Sequence, residues 1–264
     1  MNQEIFKYIN VDNFCVGLND FSEGLPFPSC VVDDFFHPSI ARELLSEFPA
    51  FDSKIWHQYD NAIEIKKVCN NWNVFPETTY KVFSLLNSKN FIDIIEKNLG
   101  GDKKLYPDIG LNGGGWHIHG RGGLLNTHLD YSLHPKLKLQ RKLNLIVYLN
   151  EDWKESWGGG LGFWGNESPS EPGELKRKIS PIYNRAVLFD TTQNSWHGLP
   201  EAIKCPANHF RKSLAVYYLC PAADDTDQRG KALFSARADQ KGDLSVAELI
   251  KKRASVDRAG DVYR

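Results

Sequence analysis

The sequence predicts an α+β protein: a helical layer over the first hundred residues, a β core from about residue 105 to 220, and a C-terminal helical extension. Three observations carry this. Apolar residues recur at helical spacing in two capped runs before residue 100. After Gly101 the texture changes to short apolar or alternating runs between Gly, Pro and Asn clusters. Beyond residue 240 a charged helical pattern returns.

Taken in order, Ser29–Val32 reads as a strand and residues 40–48 as a helix, with Ser39 as N-cap and Pro49 as its stop. Glu77–Leu86 and Lys89–Leu99 read as helices. The second carries Phe91, Ile92, Ile94, Ile95 and Leu99, with Ser88 ahead and Gly100-Gly101 behind. Residues 143–149, 160–164, 174–179, 186–189 and 213–219 read as strands, and strands so short and closely spaced suit a sandwich or barrel. Asp243-Leu244-Ser245 opens a last helix over 246–253. The expected organisation is residues 1–104 as helical layer and first strands, 105–220 as catalytic core and 221–264 as extension.

Bulk composition narrows the function classes. The chain has 264 residues, with 32 basic against 33 acidic side chains, so it has no general attraction to nucleic acid or to an anionic membrane. The basic run 136–142 (KLKLQRK) reads as a solvated loop or strand end. Five cysteines, an odd number without a CxxC pair, read as reduced thiols of a cytoplasmic protein. No stretch has the length of a membrane span, and the first residues lack the layout of a signal peptide.

The chemistry concentrates at His128-Leu129-Asp130. Residues two apart on a strand share a face, so an imidazole and a carboxylate can reach one metal ion. Alone, H-x-D is a weak signal. His197, 67 residues after Asp130, adds weight because a late strand can return beside an early one in a β sandwich or barrel. Two imidazoles and one carboxylate on one side of an ion leave three positions open, which suits an Fe(II) oxygenase, although zinc uses the same ligand types. Arg211, 14 residues after His197, shares a strand face with Ser213, and a guanidinium beside a hydroxyl is suited to holding a carboxylate.

The order His128-x-Asp130, His197, Arg211-x-Ser213 resembles the Fe(II)/2-oxoglutarate-dependent dioxygenase superfamily. Residues 141–153 (RKLNLIVYLNEDW), followed by Gly158-Gly159-Gly160-Leu161-Gly162-Phe163, resemble its prolyl-4-hydroxylase-like branch, in which a YLN strand precedes a Trp and a Gly-Gly turn. The resemblance covers roughly residues 105–220. It implies a double-stranded β-helix, or jelly roll, with Fe(II) bound by His128, Asp130 and His197. It implies 2-oxoglutarate with its distal carboxylate on Arg211, assisted by Tyr148 and Ser213, O₂ as oxidant and ascorbate as a stimulant. The implied reaction hydroxylates a C–H bond and releases succinate and CO₂. The substrate is a peptide, on a prolyl or other side chain, or a small metabolite or sugar. No nucleic-acid or membrane partner is expected, and the chain is read as a monomer or homodimer.

Two departures stand out. The spacing from His197 to Arg211 is longer than in close prolyl hydroxylases. Upstream of H-x-D, where those enzymes carry a tyrosine near the oxoacid, the chain reads Gly114-Gly115-Trp116-His117-Ile118-His119-Gly120, so His119 or Asn126 is a candidate for that place. Trp116, Tyr131, Trp164 and Trp196 are candidate cleft walls, each more readily read as packing than as a substrate contact, and residues 152–157 and 166–173 are candidate lids. Two other readings stay open: a cupin-type metal-binding barrel centred on His117-x-His119, acting as isomerase or sensor, and a non-catalytic binding module.

Overall fold

The computed structural model describes residues 4–100, 104–168, 170–192 and 194–255. Among the described residues there are six α-helices: α1 (Ile5–Tyr8), α2 (Val11–Leu18), α3 (Pro38–Ser46), α4 (Glu77–Leu86), α5 (Lys89–Leu99) and α6 (Leu244–Ala254). The strands are β1 (Ser29–Val32), β2 (His57–Asp60), β3 (Glu64–Cys69), β4 (Tyr106–Pro107), β5 (Gly115–His119), β6 (Leu124–Leu125), β7 (His128–Leu129), β8 (Gln140–Tyr148), β9 (Leu161–Ser168), β10 (Glu171–Ile179), β11 (Ala186–Asp190), β12 (His197–Gly198), β13 (Arg211–Cys220) and β14 (Leu233–Phe234).

The strands form two antiparallel sheets. The larger runs β1-β11-β8-β13-β5-β3-β2, with β4 added on β13 and β6 on β3, and the smaller runs β10-β9-β12-β7-β14. Neither closes on itself, so the jelly roll is an open sandwich of two sheets and not a barrel. The β core therefore recruits β1, β2 and β3 from the first hundred residues and β14 from the extension.

Alternation along the central strands sorts side chains onto two faces. Leu143, Leu145 and Val147 of β8, Leu214, Val216 and Tyr218 of β13, and Trp116 and Ile118 of β5 face outward into a core shared with Phe14, Phe83 and Phe91 of the helices. Phe14 of α2 stacks on Phe91 of α5 at 5.3 Å, and the Tyr218 hydroxyl donates to the Leu86 carbonyl oxygen at 3.0 Å, tying the helical layer to β13. The inward face carries Asn144, Ile146 and Tyr148 of β8 and Arg211, Ser213, Ala215 and Tyr217 of β13, set toward the smaller sheet.

The capped helices follow their signals. Ser88 accepts a hydrogen bond from the Phe91 amide, and Gly100 takes the left-handed conformation that ends α5. Asp243 caps α6 by accepting from the Ser245 and Val246 amides. α3 differs from expectation: it starts at Pro38 with His37 as an N-cap whose side chain makes no capping bond, so Ser39 lies inside the first turn. Proline at the first helical position has a pre-set φ and no amide to satisfy, and here it takes precedence over the serine cap. Residues 166–173, expected as a lid loop, form the tip of the long β9–β10 hairpin.

Candidate metal centre and its cavity

Two short strands of the smaller sheet bring the distant histidines together. β7 and β12 pair through one register position, His128 opposite His197, and their rings lie 4.3 Å apart between centroids. Asp130 follows β7 and turns back toward both: the Nε2 atoms of His128 and His197 each lie 3.7 Å from one of its carboxylate oxygens. One donor atom from each of the three residues falls within a 4.8 Å group.

The orientation of each donor has a local cause. His128 Nδ1 is 2.9 Å from the Asn126 carbonyl oxygen, and His197 Nδ1 is 2.8 Å from that of Ser195. A carbonyl only accepts, so both Nδ1 atoms carry the proton and both Nε2 lone pairs point at the shared space. Burial, and for His128 the neighbouring His197, holds both imidazoles below their ordinary pKa, so they are neutral and competent as ligands. Burial alone would raise the Asp130 carboxyl. The Arg141 guanidinium, through its charge and its hydrogen bond, leads the interactions that together outweigh this, and Asp130 stays ionised far below the usual range. Neutral imidazoles around a carboxylate are a ligand set and not ion pairs. The set fits a divalent ion with open positions, as a facial two-histidine, one-carboxylate site requires.

Arg141 is the site residue that sequence reasoning missed. Its Nη1 lies 3.1 Å from Asp130 Oδ2, and Asn144 Nδ2 donates to the same oxygen at 3.3 Å. Its guanidinium sits between two tyrosine rings, 3.5 Å from the Tyr131 centroid and 3.4 Å from that of Tyr217. Simple alternation puts Arg141 on the outer face with Leu143. β8 carries one extra residue there, since Tyr218 pairs with Leu143 but Leu219 with Arg141, and this bulge turns the side chain inward. The run 136–142 is therefore not uniformly solvated: Arg141 is 2% exposed.

Across the cavity, Arg211 opens β13 on the inward face. Its Nε donates to the Gly159 carbonyl oxygen at 2.6 Å, and its Nη2 to the Tyr148 hydroxyl at 3.3 Å. Gly159 has φ +73°, and a Cβ there would stand 3.1 Å from Arg211 Cδ, so the Gly-Gly turn provides both the carbonyl and the room. Arg211 is 4% exposed, and no carboxylate pairs with it among the described residues. A buried cation in that state is costly unless an anion arrives. Ser213, two residues on, lies directly opposite Tyr148 on one side and His117 on the other.

The triad, Arg211, Ser213, His117 and His119 all line one cavity of about 260 Å³. His117 and His119 do not join the metal cluster: the described residues contain one such group, the triad. Asn126 does not face the cavity either; its amide donates to the Ser235 carbonyl oxygen and to Gln240 Oε1. Of the four candidate cleft aromatics only Tyr131 lines the cavity. Trp116 and Trp196 are fully buried, and Trp164 borders a separate surface groove. The 152–157 segment also stays away, with Trp153 and Trp157 packed on Ile203 and Cys205.

The C-terminal extension is part of the site. β14 pairs with β7, Phe234 opposite His128. Arg229 Nη1 donates to the Asp130 carbonyl oxygen at 2.7 Å, and Lys231 and Arg253 line the cavity.

Comparison with known proteins agrees with this geometry. Residues 114–219 match the family model of the 2OG-Fe(II) oxygenase superfamily, whose two cofactors are Fe(II) and 2-oxoglutarate. A 63-residue stretch is 30% identical to the prolyl 3-hydroxylase OGFOD1 of Xenopus laevis, covering 24% of this chain and 12% of that protein. The fold is similar to that of a Pseudomonas putida prolyl-4-hydroxylase (TM-score 0.55, 15% identity, 79% of this chain and 98% of that one). It is equally similar to a Trichoplax adhaerens prolyl hydroxylase solved with a hypoxia inducible factor peptide fragment (TM-score 0.55, 18% identity, 83% of this chain and 93% of that one). Over residues 114–219 of its β core, the chain is thus similar to the 2OG-Fe(II) oxygenase superfamily.

Proposed function

We propose that the protein is an Fe(II)- and 2-oxoglutarate-dependent dioxygenase that hydroxylates a C–H bond, with His128, Asp130 and His197 as iron ligands. The observation that carries this reading is the pairing, in one cavity, of a three-donor cluster with a buried, carboxylate-free Arg211. When bound, iron and 2-oxoglutarate supply the oxidising chemistry, which consumes O₂ and releases succinate and CO₂.

The chain's own residues do the rest. Arg211 takes the distal carboxylate of 2-oxoglutarate, with the Tyr148 hydroxyl beside it and the Ser213 hydroxyl on the same face. The carbonyls of Asn126 and Ser195 hold the imidazole tautomers, and Arg141 holds Asp130 ionised and in place. Phe234 and Phe189 pack against His128 and His197 and keep water from the ligand side of the cluster. The substrate is a peptide side chain or a small molecule. Five free thiols agree with a cytoplasmic setting.

Anaerobic addition of Fe(II) and 2-oxoglutarate tests the reading. The expected result is a visible metal-to-ligand charge-transfer band that is lost in Asp130→Ala, with iron-dependent succinate release in air. No band and no succinate from folded, iron-loaded protein would favour a binding module. Metal loss in His117→Ala and His119→Ala, but not in His128→Ala, would favour the cupin-type site.

A further inference from the structure

The cavity has more positive charge than the proposed cofactors consume. Among the described residues, Lys66, Arg141, Arg211, Lys231 and Arg253 line it against the single carboxylate of Asp130. Arg141 is matched by Asp130, and in the proposed reading Arg211 is matched by 2-oxoglutarate. Of the other three, Lys66 and Arg253 flank one buried carboxylate, Glu64, at 3.2 Å and 3.1 Å. Lys231 forms no ion pair among the described residues, and burial together with the neighbouring Arg253 lowers its pKa.

The register fixes where this surplus lies. Lys67 pairs with Ile118, and Arg211 with His119, so Lys66, His119 and Arg211 stand in one row across β3, β5 and β13. At about 4.8 Å per strand, Lys66 is roughly 10 Å from the Arg211 position. A second anion could therefore be held without displacing the first. Between them His119, 2% exposed, has both ring nitrogens without a hydrogen-bond partner, and His117 Nε2 is likewise unpartnered. Buried polar atoms in that state mark a place where a ligand supplies the missing bonds. The extension contributes Lys231, Phe234 and Arg253 to the cavity wall. A volume of about 260 Å³ is at the small end for ligand pockets.

We propose that the primary substrate is a small molecule presenting an anionic group, a carboxylate or a phosphate ester, to Lys66 and Lys231, and that these two lysines set specificity. The proposal rests on the dioxygenase reading, because the Arg211 end must be reserved for 2-oxoglutarate. It makes the extension a determinant of substrate choice, since Lys231 lies on it.

Calorimetric titration of full-length protein, loaded anaerobically with Mn(II) and 2-oxoglutarate at constant ionic strength, tests it with two minimal probes, inorganic phosphate and acetate. The expected result is millimolar or tighter binding of one ion, and which ion binds tells phosphate from carboxylate recognition. Lys231→Gln should weaken that binding at least tenfold, Lys231→Arg should restore it, and Lys176→Gln, on the exposed β10, should match the parent. Binding of neither ion below about 50 mM would overturn the proposal. So would equal binding by Lys231→Gln, because the ion would then be sitting on the metal alone. Binding of 2-oxoglutarate is measured on the same sample. If it is present while both ions fail, the substrate inference falls and the dioxygenase reading stands. If it is absent, both fall.

Discussion

Phe234 lies nearly flat against His128, with ring centroids 5.0 Å apart and planes 21° from parallel, and their backbones pair. A residue of the C-terminal extension thus fixes the plane of a proposed metal ligand more than a hundred residues earlier. Phe234→Ala should lower stability by about 3–5 kcal/mol, as expected for emptying a buried aromatic site. It should also weaken divalent-metal binding by about 10–100-fold, the range for losing an orienting partner. Denaturant unfolding and a Mn(II) titration measure the two effects separately. Unchanged metal affinity in folded Phe234→Ala would remove the extension's orienting role.

Arg141 should matter to the metal without touching it. In Arg141→Met the Asp130 carboxyl loses the cation that leads the opposition to its burial, and its pKa should rise. The sign follows from linkage: a depressed folded-state carboxyl contributes stability that is present above its unfolded pKa and is lost as pH falls through the folded value. The parent should therefore keep this contribution well into the acid range, and Arg141→Met should lose it at higher pH. Metal affinity near neutrality should fall about 10–100-fold. Metal titrations of both proteins between pH 5 and 8 provide the comparison.

Arg211 and Tyr148 should separate cosubstrate binding from metal binding. Arg211→Gln should raise the 2-oxoglutarate KM by more than about tenfold, because a hydrogen bond between charged groups contributes about 1.5–3 kcal/mol. Tyr148→Phe should raise it less, by about 2–10-fold, since it removes one neutral donor at 3.3 Å from the guanidinium. Both variants should retain Mn(II) affinity. Loss of metal in Arg211→Gln would mean that the arginine supports the cluster itself.

The metal-free protein should weaken sharply on mild acidification. Burial depresses four histidines: His117 to about 3, and His119, His128 and His197 in the same direction. The unfolded chain takes up protons below pH ~6.5 while these buried rings do not. Stability is then intact above that value and falls as pH drops from it toward the folded values, by about 1.4 kcal/mol per pH unit for each ring that stays neutral. Urea unfolding at pH 7, 6 and 5 should show a steep decline, much reduced in the double variant His117→Phe/His119→Phe.

The parts of the molecule that follow local rules were readable from the chain. α4 and α5 have the bounds that periodicity gives them, because apolar spacing and the Ser88 and Gly100 caps act within a few residues. The spacing His128-x-Asp130 and the strand face shared by Arg211 and Ser213 are equally local. Arg141 was not readable, because a single extra residue in β8 reverses the face on which it emerges and nothing in KLKLQRK signals that bulge. Trp116 and Trp196 are core residues, in line with their reading as packing before substrate contact, though aromatic type alone does not reveal which side of a sheet is core.

Sequence alone determined the donor types, their order along the chain, and the helices and strands that carry them, since these depend on residue chemistry and short-range periodicity. Tertiary structure alone decided that His128 and His197 stand opposite each other, that Arg141 turns in to meet Asp130, and that the extension returns as β14 over the cavity. Those contacts join residues up to about a hundred positions apart. They arise when two antiparallel sheets pack face to face, and no local pattern encodes which strands become neighbours.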